Sequence, residues 1–168
     1  MHLELHKIPR PAGERFWFPF EQQKRSNGFN EQWWSRDPVY PDSRRIYLQA
    51  TMDGTEFARV ELNPSFSIQH YADTPVLGDK GLEIAFFEVH SNHRCSSAKI
   101  GTQTIRLLTD LYPQHRFAAF SEQADDFWAS LGWRIHFHAD PEQIRFFRPL
   151  YIQPPRMLSV AATSIEHF

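Results

Sequence analysis

The chain has one cysteine, Cys95, in 168 residues, which rules out an intramolecular disulfide framework. It also has no run of about 18 apolar residues, so no helix is expected to span a bilayer. An excess of basic residues is missing too, with 18 Lys and Arg against 20 Asp and Glu, a net charge of −2 and a pI near 6.5. Without a global basic field, gripping nucleic acid is not the expected main task. The opening MHLELHKIPRPAGERF lacks the charged-then-apolar pattern of a secretory leader, and the expected location is the cytoplasm. Neither an internal repeat nor a low-complexity tract is found.

What the chain does have is apolar and aromatic: 41% hydrophobic residues, with 15 Phe and 5 Trp. That excludes a disordered chain and implies packed aromatics or a wide apolar pocket. The length fits a single domain over residues 1–168 with a real core. Beyond Gln153, Pro154-Pro155 opens a tail (154–168) expected to wander or to dock on a neighbour.

Read in order, HLELHKI alternates as a half-buried strand does, and Pro9 and Pro11 end it. Residues 12–34 are polar and aromatic, expected as one or two short helices broken near Asn27-Gly28. RRIYLQATMDGTEFARVELNP reads as a hairpin turning at Asp53-Gly54. Residues 64–81 form a connection in which 66–70 could make a short strand. LEIAFFEV (82–89) is rich in Ile, Phe and Val and suits a buried strand. The loop HSNHRCSSAK leads into IGTQTIRLLTDLY, whose Ile100, Ile105, Leu107, Leu108, Leu111 and Tyr112 recur at near-helical spacing. RFAAFS then gives another strand, ADDFWASLGW a helix stopping at Gly132, and RIHFHA with IRFFRPLYIQ a closing antiparallel pair. This order predicts an α+β fold with a mixed, mostly antiparallel sheet flanked by helices. A turn of free N–H groups feeding a helix N-terminus favours phosphate oxygens, so a phosphorylated cofactor is expected.

At residues 82–133 the sequence resembles the GNAT superfamily of N-acetyltransferases, in which a strand, the turn R/Q-x-x-G-x-G/A and a helix hold the pyrophosphate of acetyl-CoA. LEIAFFEV is similar to the strand whose early glutamate serves as general base in the histone acetyltransferase branch, and FWASLGW to the family's F-Y-x-x-x-G-F helix. The likeness spans roughly the C-terminal half, whereas the N-terminal half matches only in order of elements. It implies strands splayed apart at the acyl-CoA site, with main-chain groups of Phe87, Glu88 and Val89 along the pantetheine arm. Arg94, Cys95, Ser96, Ser97, Ala98, Lys99, Ile100, Gly101 and Thr102 would hold the pyrophosphate. Ser121, ending the second splayed strand, and Phe127 and Trp128 on the next helix complete the implied cofactor contacts.

The implied base is Glu83, with Glu88 second, further along the same strand and on the opposite pleat. Either glutamate could instead simply pair with a neighbouring cation. Two departures from the family pattern bear on function. RCSSAKIG reaches Gly101 two residues late and lacks the middle glycine, which implies an altered cradle that Ser96, Ser97, Thr102 and Lys99 would partly restore. Trp128 stands where the family often has a tyrosine that protonates the departing thiolate, and an indole cannot do that.

Among the nine histidines, His136 and His138 alternate on a strand and His90 and His93 flank a loop, yet no carboxylate or cysteine completes a metal-ligand spacing. No metal is expected. His90 or His93 could act as a base or contact a phosphate, and Cys95 beside Arg94 could have a lowered pKa or be incidental. Phe16, Trp17, Phe18, Phe20, Phe29, Trp33 and Trp34 fall where the family's acceptor lid is built; they would line a pocket for an apolar or aromatic amine, make a dimer contact, or pack in the core. Lys24-Arg25 and Arg44-Arg45 read as solvated basic pairs. The resulting expectation is transfer of an acetyl group from acetyl-CoA to an amine acceptor. The alternatives are a GNAT-like acyl-CoA-binding or interaction module without turnover, and an unrelated α+β ligand-binding domain.

Overall fold

Seven strands form one sheet in the order β1-β2-β3-β4-β5-β7-β6 in the computed structural model, which describes residues 2–20 and 28–156. The strands are β1 (Glu4–Lys7), β2 (Ile46–Met52), β3 (Thr55–Asn63), β4 (Gly81–Val89), β5 (Arg116–Phe120), β6 (Arg134–His136) and β7 (Leu150–Ile152). Only β4 and β5 run parallel; the other neighbours are antiparallel. Among the described residues the α-helices are α1 (Glu31–Trp34), α2 (Ile100–Leu111) and α3 (Asp125–Ser130). The expected α+β, mostly antiparallel arrangement is the one observed.

Local chemistry accounts for the connections. Asp53 (φ 49°) and Gly54 (φ 75°) are both left-handed, the backbone of a two-residue hairpin turn that matches strand twist. In α2, buried Ile100, Thr104, Ile105 and Leu108 share one face, and that face packs on Leu48, Val60, Leu62, Leu82 and Ile84 of the sheet. Gly132 (φ 76°) closes α3: its N–H reaches Ala129 O at 2.9 Å, and the Trp133 N–H reaches Trp128 O at 3.3 Å. These are the two bonds of a Schellman motif, and the Trp128 and Trp133 rings, 4.9 Å apart, supply its apolar contact.

The opposite face of the sheet carries a second core of Trp17, Phe20, Phe29, Trp34, Val39 and Tyr47. At its centre lies Arg59, fully buried, with its guanidinium 4.6 Å from the Phe20 ring centroid and 4.2 Å from that of Phe29. Its charge is met by Glu56 and, at 3.5 Å, by Glu31. A buried cation persists only when paired in this way.

Several expectations need correction. Residues 66–70 are not a strand, because both edges of β4 near them are taken by β3 and β5; Phe66 and Ile68 pack on Ala118, Leu150 and Ile152 instead. Residues 144–146, expected to open the last strand, instead end a 3-10 turn, Pro141–Phe146, with Pro141 at its start and the Asp140 carboxylate accepting from the Glu142 N–H at 3.0 Å. The helical segment before Trp34 shows one turn, α1, and the expected break at Asn27 and the Lys24-Arg25 pair lie outside the described residues. Arg45 is no solvated spare: it pairs with Glu61, whose side chain is buried. Of the tail, Arg156 bonds Thr109 O and the Asp110 carboxylate, while residues 157–168 lie outside the described ones.

Candidate functional site

Pairing between β4 and β5 lasts only from Gly81↔Arg116 to Glu83↔Ala118. Beyond that point β5 continues against β7, through Ala119↔Tyr151 and Phe120↔Leu150, and among the described residues the β5-facing edge of β4 from Ile84 to Val89 has no strand partner. The sheet therefore opens in a V whose fork lies at Glu83. Unpaired backbone groups along an opened strand are what an extended amide-bearing arm can bond.

The register of β4 against β3 decides where its carboxylates go. Leu62 faces Ile84 and Glu61 faces Phe86, which leaves Ala85 as an extra residue on β4, a β-bulge. Side chains alternate across a strand, so one inserted residue reverses the alternation. Glu83, opposite Asn63, and Glu88, opposite Arg59, consequently lie on the same face. The sequence places them on opposite pleats because alternation alone cannot reveal a bulge.

Their surroundings differ sharply. Glu88 is buried and accepts from the Asn30 N–H (3.1 and 3.0 Å to its two oxygens), from Trp34 Nε1 at 2.8 Å and from Arg94 Nη2 at 2.5 Å. A carboxylate so saturated braces β4 to α1 and to the loop after β4. Glu83 accepts one bond, from Asn63 Nδ2 at 2.8 Å. Burial raises its pKa above the ordinary value of 4.5, against the lowering effects of the Asn63 bond and of Arg45. Next to it, burial also pushes the Glu61 carboxyl up, opposed by its bond to Arg45, and burial with Glu61 pushes up the Tyr47 phenol.

The loop expected to hold phosphate is built without its middle glycine by putting two other residues in the left-handed region, Cys95 (φ 54°) and Lys99 (φ 49°). Lys99 caps α2 with its N–H bonded to Ser96 O at 3.0 Å. The first-turn amides of Ile100, Gly101 and Thr102 have no partner inside the helix, and the Ser96 hydroxyl is buried with no hydrogen-bond partner. Ser97, Ala98 and Cys95 are exposed. Arg94, expected to lead the cradle, instead has its guanidinium on Glu88 and, at 2.9 Å, on Val89 O.

Gly101 serves packing, since a Cβ there would meet the Phe127 ring at 3.1 Å. Phe87 stacks near Phe127 and Trp128, with ring centroids 5.8 and 6.4 Å away. Trp128 is buried in the main core. Ser121 is buried too, and its hydroxyl accepts from the Ala124 N–H at 3.3 Å, fixing the turn into α3. Thr102 borders a cleft of about 370 Å³ between α2, the end of α3 and the chain after β7, with Arg106, Thr109, Gln153 and Arg156. His136 Nδ1 lies 3.1 Å from Ala72 O, and His138 accepts from the Asp140 N–H at 3.1 Å. Among the described residues no group of three or more metal-type side chains gathers.

Sequence reasoning passed over Asn63, Glu61, Tyr47 and Phe86. Asn63 and Glu61 alternate along β3, which puts them on one face in the sequence itself; their placement beside Glu83 depends on register.

No family model matches the chain, and no curated protein matches it in sequence. Its structure is similar to that of an acetyltransferase from Thermus thermophilus, with TM-score 0.51 and 12% identity, over 68% of this chain and 67% of that one. Similarity extends to the ribosomal-protein-S18-alanine N-acetyltransferase of Escherichia coli (TM-score 0.49, 13% identity, 95% and 98% of the two chains). An aminoglycoside 6'-N-acetyltransferase complexed with coenzyme A also aligns (TM-score 0.46, 16% identity, 70% and 77%). At such identities likeness speaks of architecture, and the architecture, a mostly antiparallel sheet opened between its one parallel pair, is the GNAT fold.

Proposed function

We propose that the chain is an N-acyltransferase that moves an acetyl group from acetyl-CoA to a primary amine, with Glu83 as general base. The observation that carries the reading is the opening of β4 from β5 directly beyond Glu83, in a fold shared with an acetyltransferase. The residues present suit a phosphate-bearing substrate arm: an unpartnered buried hydroxyl on Ser96 and the free first-turn amides of α2 stand at one end of the opened strand.

The amine nitrogen attacks the thioester carbonyl carbon, its proton passes to Glu83, the C–S bond breaks and the thiolate takes its proton from solvent. An alkyl ammonium ion must lose a proton before it attacks, and a half-buried carboxylate with a raised pKa is a stronger base than an exposed one. Asn63 orients that carboxylate. Trp128, held in the core, supplies no proton to the sulfur.

A second reading, an acyl-CoA-binding module without turnover, draws on the commitment of Arg94 to Glu88 and Val89. Two measurements separate the readings. Saturating acetyl-CoA, near a hundredfold above its dissociation constant, is expected to raise stability by about 2.7 kcal/mol, with a desulfo analogue and an adenosine-only fragment as controls. Thiol release with an amine panel then reports turnover. A melting shift without thiol release selects the binding module, and no shift at millimolar acetyl-CoA overturns both.

A further inference from the structure

The face of the V that carries Glu83 is walled by aromatic rings. Phe86 follows Glu83 on the same face of β4, 40% exposed, and the 51% exposed ring of Trp33 lies 6.4 Å from it. On the other arm, Ala118 is paired with Glu83, so Phe120, two residues on, shares its face, with the Tyr71 ring 5.5 Å away. Two large rings left open to solvent beside a half-buried carboxylate are an apolar surface awaiting a ligand rather than scattered exposure.

Several carboxylates around this face are matched by cations. Glu61 pairs with Arg45, Glu88 with Arg94, Glu56 and Glu31 with Arg59, and Glu122 near the end of β5 with Arg148. Among the described residues Glu83 has no ion-pair partner; its hydrogen-bond donor is the neutral amide of Asn63. Glu83 is thus a carboxylate left open to a cation, between apolar walls.

We infer that the acceptor is a small arylalkyl monoamine, with its ammonium group at Glu83 and its ring between Trp33–Phe86 and Phe120–Tyr71. A polyamine or an aminoglycoside would bring further ammonium groups beyond the one that Glu83 can meet, and would lay polar surface on the rings. A short polar amine would leave the rings wet. For turnover the inference rests on the acyltransferase reading above, whereas binding at the site is measured apart from it.

The test uses the full chain saturated with coenzyme A, titrated calorimetrically with phenethylamine, ethanolamine and spermidine, beside thiol release from acetyl-CoA with the same amines. Phenethylamine is expected to bind at least about tenfold tighter than ethanolamine, since a buried apolar group typically discriminates by this much or more, and to have the highest kcat/KM. Trp33→Ser and Phe86→Ser are each expected to shrink the phenethylamine-to-ethanolamine ratio, and Glu83→Gln to weaken phenethylamine about tenfold. Phenethylamine binding without thiol release would retain the inference and sink the transferase reading. Turnover that favours spermidine or ethanolamine would overturn the inference alone, and neither binding nor turnover would overturn both.

Discussion

Glu88 is predicted to be a brace rather than a base, and its substitutions put a number on the difference. Its side chain is 4% exposed and receives donors from three places: the Asn30 N–H before α1, the Trp34 indole in α1, and Arg94 after β4. In Glu88→Gln one oxygen becomes an NH2 group that must face a donor. The less costly orientation turns it toward Arg94, 53% exposed and able to swing to water, and keeps the Trp34 bond. The loss is then one charge-assisted hydrogen bond plus weaker acceptance from Asn30, about 2–3 kcal/mol. Glu88→Ala strands both the Trp34 and Asn30 N–H groups in a buried site, for about 3–5 kcal/mol. At roughly 2–4 °C per kcal/mol for a domain of this length, the Gln variant should melt about 4–12 °C lower. Urea denaturation gives the free energy, and thiol release across pH, measured below the variant's melting range, gives the chemistry. Loss of a brace lowers stability and leaves the acid limb of the pH profile where it was. The reasoning is refuted if Glu88→Gln stays within about 0.5 kcal/mol of wild type while a fully folded variant loses turnover.

Glu83→Gln should show the opposite pattern, with thiol release reduced at least about 100-fold and the acid limb of kcat/KM flattened; full turnover by the variant would remove Glu83 from the mechanism. Its stability also follows from sign: burial raises the folded-state pKa above 4.5, so between that value and the raised one the native state holds a proton that the unfolded chain has released, and stability falls as pH rises. The stability advantage of Glu83→Gln over wild type should therefore grow as pH climbs through that window and then level off, and urea midpoints from pH 4 to 8 check it. Gly28→Ala places a Cβ 2.0 Å from His90 Nε2, expected to cost about 1–3 kcal/mol; the double variant with His90→Ala should recover part of the loss, and a neutral single variant would count against the packing. Arg59→Met leaves Glu56, whose side chain is 9% exposed, without its cation, a cost of about 3–5 kcal/mol that Glu56→Gln should largely return in denaturant titrations.

Elements with strong local signals are legible in the chain itself. The period of α2, the Asp53-Gly54 turn and the Gly132 stop each depend on a few adjacent residues whose backbone preferences point one way. The fork at Glu83 is legible through the family likeness of LEIAFFEV and the strand that follows α2. Less legible are segments whose structure depends on what lies across from them: residues 66–70 have strand-like composition but pack Phe66 and Ile68 on Ala118, Leu150 and Ile152 without joining the sheet, and Arg45, a surface cation by composition, meets Glu61 only because β2 and β3 pair.

Chain order and apolar periodicity thus determined the α+β class, because it follows from local propensity and from pleat and helix repeats, whereas the place of the opened strand pair and the carboxylate at its fork were implied by the family likeness of residues 82–133. Tertiary structure alone decided which carboxylate is free. The extra residue at Ala85 exists only as a mismatch between β4 and β3, and no local preference encodes a mismatch. It turned Glu88 onto the face of α1, where Asn30, Trp34 and Arg94 saturate it, and left Glu83 with the single neutral donor of Asn63.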